Sequence, residues 1–278
     1  MKKGLNKIII ACVSTILTTS YGYSARIMNQ NPAKEEWECS IVDGEWNCGR
    51  EQDPVNVFDK SIPKDQRDKA VATDLGWVSN KSYRTGGEYF NDMEFTKPLC
   101  DSGKTDLSYE NAEFDTDGTL IATGNVEVLQ CDQEIYGDNA IITFNDDKSG
   151  VEGVSILGNV ISKQPSTGIV FRTNQLMSNL EDGSSSSGET YFRFFKKQPD
   201  VPIYSKEHFT GHMRGYATSM KRYDEENISM LDGYITSGGP YDNDWKMAAD
   251  NIDINLDDNM PYLRGGVFKI KDVPVMYV

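Results

Sequence analysis

Four cysteines could carry disulfide chemistry once an N-terminal leader is removed: Cys39, Cys48, Cys100 and Cys131. Between the first two, Asp43-Gly44 is a strong signal for a two-residue hairpin turn. Counting outward from this turn, Cys39 faces Cys48 as a non-hydrogen-bonded pair, whose closely spaced Cα atoms suit a disulfide. The alternative is that one of them pairs with a distant cysteine, because sequence alone does not fix connectivity.

The two histidines, His208 and His212, are the other candidates for chemistry, since their spacing resembles part of a zinc site. Zinc-protease spacing needs a helix to bring both rings to one face, and this region has the pattern of strand and turn. We therefore expect surface histidines. The sequence also lacks a nucleophile elbow and a phosphate-binding loop after a suitable strand. It predicts no catalytic residue, no metal site and no cofactor, so we expect a protein that is not an enzyme.

Residues 1–25 have the anatomy of a secretory signal peptide. Lysines at the start precede an apolar run from Ile8 to Leu17, and small residues follow up to Ala25. Such a run is too short to span a bilayer as a helix. Residues 9–12 also fit a lipobox ending in Cys12, but this would leave only a minimal apolar region, so cleavage near Ala25 is favoured. We expect an exported protein, in which an even number of cysteines suggests disulfides.

The charge balance excludes one class of partner. The chain has 43 acidic and 28 basic residues, a formal net charge of -15. Binding to nucleic acid needs a basic stripe, and none is visible. The same balance opposes steering toward anionic membrane surfaces. Solubility in a crowded compartment is the plainer use of the acidity.

Apolar side chains alternate with polar ones along several short segments, which places them on one face of a strand. They could form the solid core of a sandwich, or line a slit between two sheets that accepts acyl chains. The alternation of apolar residues does not distinguish a solid core from a slit that accepts acyl chains. The candidates for such a lipid-binding interior are Val126, Val128, Ala140, Ile142, Phe144, Ile156, Ile169, Phe171, Phe192 and Phe194.

The elements that would position these side chains recur as a repeated unit. Asp138 to Ile142 leads to Gly158-Asn159-Val160, and Asp250 to Ile254 leads to Gly265-Gly266-Val267. Gly124-Asn125-Val126 has the form of the end of an earlier unit. A unit this small cannot bury its own apolar face, so successive units must stack. Short strands at regular spacing predict an all-β fold, an open β-jelly-roll or stacked β-sandwich.

Three regions follow from this pattern. Residues 1–25 are the signal peptide, and residues 26–104 form an irregular N-terminal extension that contains the 39–48 hairpin. Residues 105–278 form the β-domain. Open sheets have unpaired end strands that can pair with another chain. We expect Leu107 to Phe114 at one edge and Val267 to Val278 at the other.

The last third of the chain resembles the LPS-assembly protein LptD family, at the junction between its periplasmic jelly-roll and its outer-membrane barrel. The similarity lies in Leu231 to Trp245, then Lys246 to Ile254, then Val267 to Tyr277, which ends in Val-Pro-Val-Met-Tyr. The Gly-Asn-Val and Gly-Asp-Asn-Ala units resemble the OstA-like domain that this family shares with the bridge protein LptA. The hairpin from Trp37 to Cys48 is similar to the start of some mature family members.

This resemblance implies transport of lipopolysaccharide and its assembly at the outer membrane. The acyl chains of lipid A would lie between the sheets while the sugars stay in water. An LptA-like bridge protein would join by edge-strand pairing, and an LptE-like lipoprotein would bind only if a barrel is present. The expected location is the periplasm, with outer-membrane association if the domain is joined to a barrel. The competing hypothesis is an exported structural or adhesive β-sandwich without a lipid ligand, and an exported hydrolase is a third.

Two features depart from the family pattern. Where the family has a cysteine that pairs with the barrel, Thr236-Ser237 is followed by Gly238. This favours pairing among the four mature cysteines. The sequence also stops at Val278 without alternating barrel strands. We therefore expect a fragment, the product of a truncated gene, or a freestanding periplasmic piece.

Overall fold

A computed structural model describes thirteen stretches of the chain: residues 37–42, 45–50, 55–81, 86–90, 105–115, 118–130, 133–145, 151–179, 182–197, 209–224, 226–242, 244–255 and 260–277. The predicted signal peptide, Cys100, Cys131 and His208 lie outside these stretches. The chain divides into two compact units, Met1–Asp53 and Pro54–Val278. In the described part of the chain, no helix is long and apolar enough to cross a membrane.

The first unit contains an antiparallel hairpin of β1 (Trp37–Val42) and β2 (Glu45–Arg50). Its register places Val42 opposite Glu45 and Cys39 opposite Cys48. This register is the one predicted for the hairpin. The disulfide between Cys39 and Cys48 stays a prediction.

Strands dominate the second unit, which confirms the all-β, open jelly-roll prediction. Fifteen of them form one hydrogen-bonded sheet, and β3 and β4 pair separately. The strands are β3 (Trp77–Ser79), β4 (Gly87–Tyr89), β5 (Thr105–Ser108), β6 (Asn111–Phe114), β7 (Leu120–Gln130), β8 (Gln133–Phe144), β9 (Val151–Gln164), β10 (Ile169–Asn179), β11 (Ser185–Ser187), β12 (Thr190–Lys197), β13 (Phe209–Ala217), β14 (Ser219–Arg222), β15 (Asn227–Thr236), β16 (Trp245–Asn255), β17 (Met260–Arg264), β18 (Val267–Ile270) and β19 (Val273–Tyr277).

The large sheet folds back on itself along a line that we call the crease. Long strands such as β7 to β10 break their pairing register there and continue on the other side of it. One half of the sheet, the first layer, contains β6, β11, β14 and β17. The other half, the second layer, contains β5, β12, β13, β18 and β19. Strands β7, β8, β9, β10, β15 and β16 contribute to both layers. The crease comprises residues 124–125, 137–138, 158–159, 174, 188–189, 218, 232, 250 and 265–266.

The repeated sequence unit supplies the crease. Gly158 (φ +74°) and Asn159 (φ +46°) bend β9 through the left-handed region, which favours glycine and asparagine. The Asn159 amide donates to the Asp138 carboxylate on the neighbouring strand at 3.0 Å. A Cβ on Gly158 would collide with that carboxylate. The same close approach of glycine and carboxylate recurs where Glu110 meets Gly124 and where Asp250 meets Gly265. Asn125 also donates to Glu110, whereas Gly265 is followed by Gly266, which has no side-chain amide.

The predicted edges contain β5 and β6 at one end of the sheet and β19 at the other, whereas β17, which pairs with β16 alone, is an edge strand that was not predicted. Strand β5 ends one side of the strand order, and β19 ends the other. Strand β6 pairs with β7 at the same end as β5, and all four of its residues are exposed. Strand β19 is exposed along its whole length.

Residues 55–90 contain regular structure where an irregular segment is expected. Helix α1 (Lys64–Asp74) begins after Pro63 and ends before Gly76, whose φ of +85° suits a glycine after a helix. The helix and the β3–β4 hairpin pack on the outer face of the second layer. Ala72, Leu75, Trp77 and Tyr89 share a buried cluster there with Val170 of β10. This small cluster is separate from the main core.

Candidate functional site

The ten predicted interior residues come together in one hydrophobic cluster between the two layers. Nine of them are buried, and Phe144 is partly buried and packs against the others. Both layers contribute, because Ile142 belongs to the first and Phe194 to the second. The structure thus assembles the predicted set, and lipid binding by these residues stays a proposal.

Side chains fill this interior. The predicted residues range from 0% exposed at Ala140 to 8% at Phe194, apart from Phe144. These side chains are so closely packed that water reaches little of their surface, as is usual in a protein core. A ligand can therefore occupy this space only if the layers move apart.

An aromatic group lies at the middle of the second layer. Phe171 of β10 is registered opposite Phe192 of β12, and Ile169 is opposite Phe194. The rings of Phe192 and Phe194 stack with centroids 5.9 Å apart and planes 7° from parallel. A Cβ on Gly215 would lie 2.7 Å from the Phe192 ring, so glycine at this position makes room for it. The widest side chains of the interior meet here.

Sequence reasoning missed part of the interior, although the same alternation marks it. Ile228 and Met230 in β15 are buried, as are Ile252 and Ile254 in β16. A consistent search for period-two patterns would have found them. The remaining members that were not predicted are Leu120, Ala122, Ile135, Val154, Val160, Leu176, Ala217, Met220, Ile235 and Ala249.

The opposite face of the second layer has a different chemistry. Arg172 and Arg193 are 0% and 1% exposed, and both contact residues 55–90. Nε of Arg172 donates to Asp74 at 2.9 Å, and one of its terminal nitrogens donates to the Val55 carbonyl at 3.1 Å. Burial raises the pKa of Asp74, although the arginine beside it acts in the opposite direction. The cost of burial is therefore the larger effect on this carboxyl.

Arg193 binds the same segment through main-chain carbonyls. Its Nε donates to Leu75 O at 2.9 Å, and Nη2 donates to Phe90 O at 3.1 Å. Its guanidinium carbon also lies 4.3 Å from the centroid of the Phe195 ring. Burial raises the pKa of nearby Tyr89 to about 12. These contacts are directional, and they fix α1 and the β3–β4 hairpin on the sheet.

His212 belongs to this outer region rather than to a metal site. It is partly buried, which corrects the expectation of a surface histidine. Its ring lies 4.7 Å from the Tyr89 ring, and Nε2 is 3.4 Å from Gly238 O. Burial lowers its pKa below the ordinary value. Among the residues that the structure describes, no group of three or more His, Cys, Asp or Glu side chains is placed to hold a metal ion.

Arg214 binds the loop that follows β15. This loop contains Gly238, the position at which the family pattern has a cysteine. Its guanidinium donates to Gly238 O at 2.8 Å and also to Gly239 O. Thr236 Oγ1 donates to Trp245 O at 2.7 Å, which closes the base of the same loop. The loop is thus held by hydrogen bonds to its carbonyl groups.

Comparisons with known proteins agree with the sequence-based interpretation. No family model matches the chain. The LPS-assembly protein LptD of Francisella tularensis subsp. novicida (strain U112) is 53% identical over 278 residues, which is 100% of this chain and 32% of that protein. The LptD of F. tularensis subsp. holarctica (strain OSU18) is 52% identical with the same coverage. The chain thus spans about a third of the length of these curated relatives.

Among solved structures, the chain is similar to LptH of Pseudomonas aeruginosa. That protein is described as the LptA homologous periplasmic component of a lipopolysaccharide transport device. The identity is 12% and the TM-score is 0.26, over 58% of this chain and 81% of the other. Over its whole length, the chain is similar to the N-terminal part of these LPS-assembly proteins LptD.

Proposed function

We propose that this chain accepts the acyl chains of lipopolysaccharide during its transport to, and assembly at, the outer membrane. The observation that carries the proposal is the single apolar interior between the layers of one folded sheet. It collects inward-facing residues from β7 near one edge of the sheet to β16 near the other. The relatives of this chain are named for the same assembly process.

Contacts between apolar side chains in the interior can be replaced by contacts with acyl chains at little net cost in free energy. Burial of an acyl chain contributes about 0.8 kcal/mol per methylene group. The layers must separate to admit the lipid, which removes contacts between side chains of similar apolar character. Because hydrophobic contacts are not directional, acyl chains can replace them without leaving polar groups unpaired. Binding of this kind needs no catalytic residue, so we propose that the protein is not an enzyme.

The proposed partner at the N-terminal edge is an LptA-like bridge protein. Residues 111–114 of β6 are exposed, and Phe114 is 69% exposed. An edge strand of another chain could extend this sheet through main-chain hydrogen bonds, which would align the two apolar interiors. We place the protein in the periplasm after export. An LptE-like lipoprotein would bind only together with a barrel.

Photo-crosslinking in cells tests the proposal. A photoreactive residue replaces Ile142 or Phe194, which face the interior, and a control replaces Ile141. Ile141 is next in sequence but 37% exposed on the outer face. We expect lipopolysaccharide adducts at positions 142 and 194 and few at position 141.

Equal adduct yields at positions 141 and 142 would indicate nonspecific lipid contact. The absence of adducts at both interior positions, in protein that is exported and folded, would favour a structural β-sandwich with a solid core. Either result would overturn the proposed function.

A further inference from the structure

In the part of the chain that the structure describes, the two layers are joined along one side. In the described residues, every passage of a strand from one layer to the other lies in the crease. Strand ends remote from the crease, such as Gln164 in the second layer and Arg222 in the first, form what we call the open side. The backbone is continuous across the crease. A lipid with its acyl chains inside can therefore extend a large headgroup into water only through the open side.

A side-chain contact between described residues spans the open side. Nη1 of Arg222 donates to Oε1 of Gln164 at 2.9 Å, although the two residues lie in different layers. Arg222 is at the end of β14, and Gln164 is at the end of β9. We call this pair the latch.

The register shows that both latch residues point toward the interior. Gln164 is paired with Ile169, and Arg222 is paired with Ile228. Paired residues of antiparallel strands project from the same face of the sheet. Ile169 and Ile228 are 5% and 6% exposed and belong to the main core. The latch therefore lies over the apolar interior, midway between the two edges of the folded sheet.

We propose that the latch is a gate for the lipid headgroup, which must open as the acyl chains move along the interior. This inference rests on the proposed function and specifies where passage is controlled. Residues on β8 lie on the N-terminal side of the latch, and residues on β16 lie on its C-terminal side. A closed latch blocks movement of the headgroup from the first position to the second. The hydrogen bond between the layers contributes only about 0.5–1.5 kcal/mol, so it can break during each passage.

A covalent lock tests the gate. The double variant Gln164→Cys/Arg222→Cys is combined with a photoreactive residue at Ile142 or at Ile254 and expressed in the exporting cell. Facing layers lie about 10 Å apart, farther than a disulfide can bridge, so a reductively cleavable bismaleimide links the two cysteines, and mass spectrometry of the linked peptides verifies the lock. If lipid is delivered at the β5–β6 edge, the cross-linked protein keeps its lipopolysaccharide adduct at position 142 and loses it at position 254. Reductive cleavage of the linker restores the second adduct.

The controls are the chain without the two new cysteines and each single-cysteine variant, each treated with the linker and tested before and after its reductive cleavage, because native cysteines are present. An undiminished adduct at position 254 in the locked protein would overturn the gate and leave the proposed function intact. Absence of adducts at both positions, with or without the lock, would overturn the proposed function itself. The two failures are thus distinct.

A second set of variants avoids the need for a covalent link. Gln164→Glu converts the hydrogen bond into an ion pair and should slow formation of the adduct at position 254. Arg222→Ala removes the bond and should accelerate it by about three- to tenfold. Lys221→Ala, which removes the same charge from the exposed neighbouring position, is the matched control and should leave the rate unchanged. Equal rates in all three variants would overturn the gate.

Discussion

The two faces of the second layer differ in the kind of contact that covers them. Phe171 and Phe192 point into the interior, whereas the next residues in sequence, Arg172 and Arg193, point outward into the contact with residues 55–90. Inward contacts are apolar and tolerate rearrangement. Outward contacts combine the apolar cluster around Val170 with hydrogen bonds that have fixed partners and geometry. The inner face of these strands can thus replace its contacts with others, whereas the outer face cannot.

The largest effect is expected on the outer face. Arg172→Ala should lower the free energy of unfolding by about 3–5 kcal/mol, because it leaves the Asp74 carboxylate without its buried partner. Chemical denaturation measures the change. The double variant Arg172→Ala/Asp74→Ala should recover part of the loss, since no unpaired charge remains. A loss below about 1 kcal/mol in the single variant would show that this face is not held by directional contacts.

An intermediate effect is expected in the interior. Leu176 is 2% exposed and lies in the main core. Leu176→Met conserves volume and should cost less than about 1.5 kcal/mol in the free energy of unfolding. Chemical denaturation under the same conditions allows direct comparison with the outer-face variants. A cost as large as that of Arg172→Ala would mean that the interior is as rigidly specified as the outer face.

The sequence predicts a face of the sheet well when its contacts follow from neighbouring residues, and poorly when they join residues far apart in sequence. Alternation places Ala140 and Ile142 on the buried face of β8. The Asp43-Gly44 sequence predicts the strand register in which Cys39 lies opposite Cys48. Both rules act over a few neighbouring residues. The partners of Arg193 are different, because Leu75 O and Phe90 O lie more than a hundred residues away in sequence. No local pattern contains that information.

Helix α1 shows a second limit of the sequence analysis. The segment from Lys64 to Asp74 is rich in charged residues and buries only Ala72 fully, so it lacks the apolar period of an amphipathic helix. Its boundaries carry a signal, since Pro63 precedes the first turn and Gly76 follows the last. Attention to these end residues would have predicted the helix. The repeated Gly-Asn units were recognised, but the carboxylate that each one meets was not.

The smallest effect concerns pH and the outer face. His212 is partly buried against Tyr89, and burial lowers its pKa in the folded state. The unfolded chain therefore binds a proton more readily near the ordinary pKa of about 6.5. The folded state loses stability relative to the unfolded state as the pH falls below that value.

Urea denaturation at several pH values between 7.5 and 5 measures this contribution. His212→Gln cannot take up the proton, so its stability should fall less steeply than that of the unchanged protein over this range. Carboxylates whose pKa values are lowered titrate further into acid and affect both proteins alike. Parallel pH profiles would show that burial of His212 does not resist protonation.

The crease also bears on how such a domain can change in length during evolution. Each long strand supplies a segment to both layers, so a duplicated pair of strands elongates the two layers by the same amount. The cross-section of the domain stays constant, and the two layers keep equal lengths. Insertion of whole units can therefore change the length of the domain without redesign of its interior.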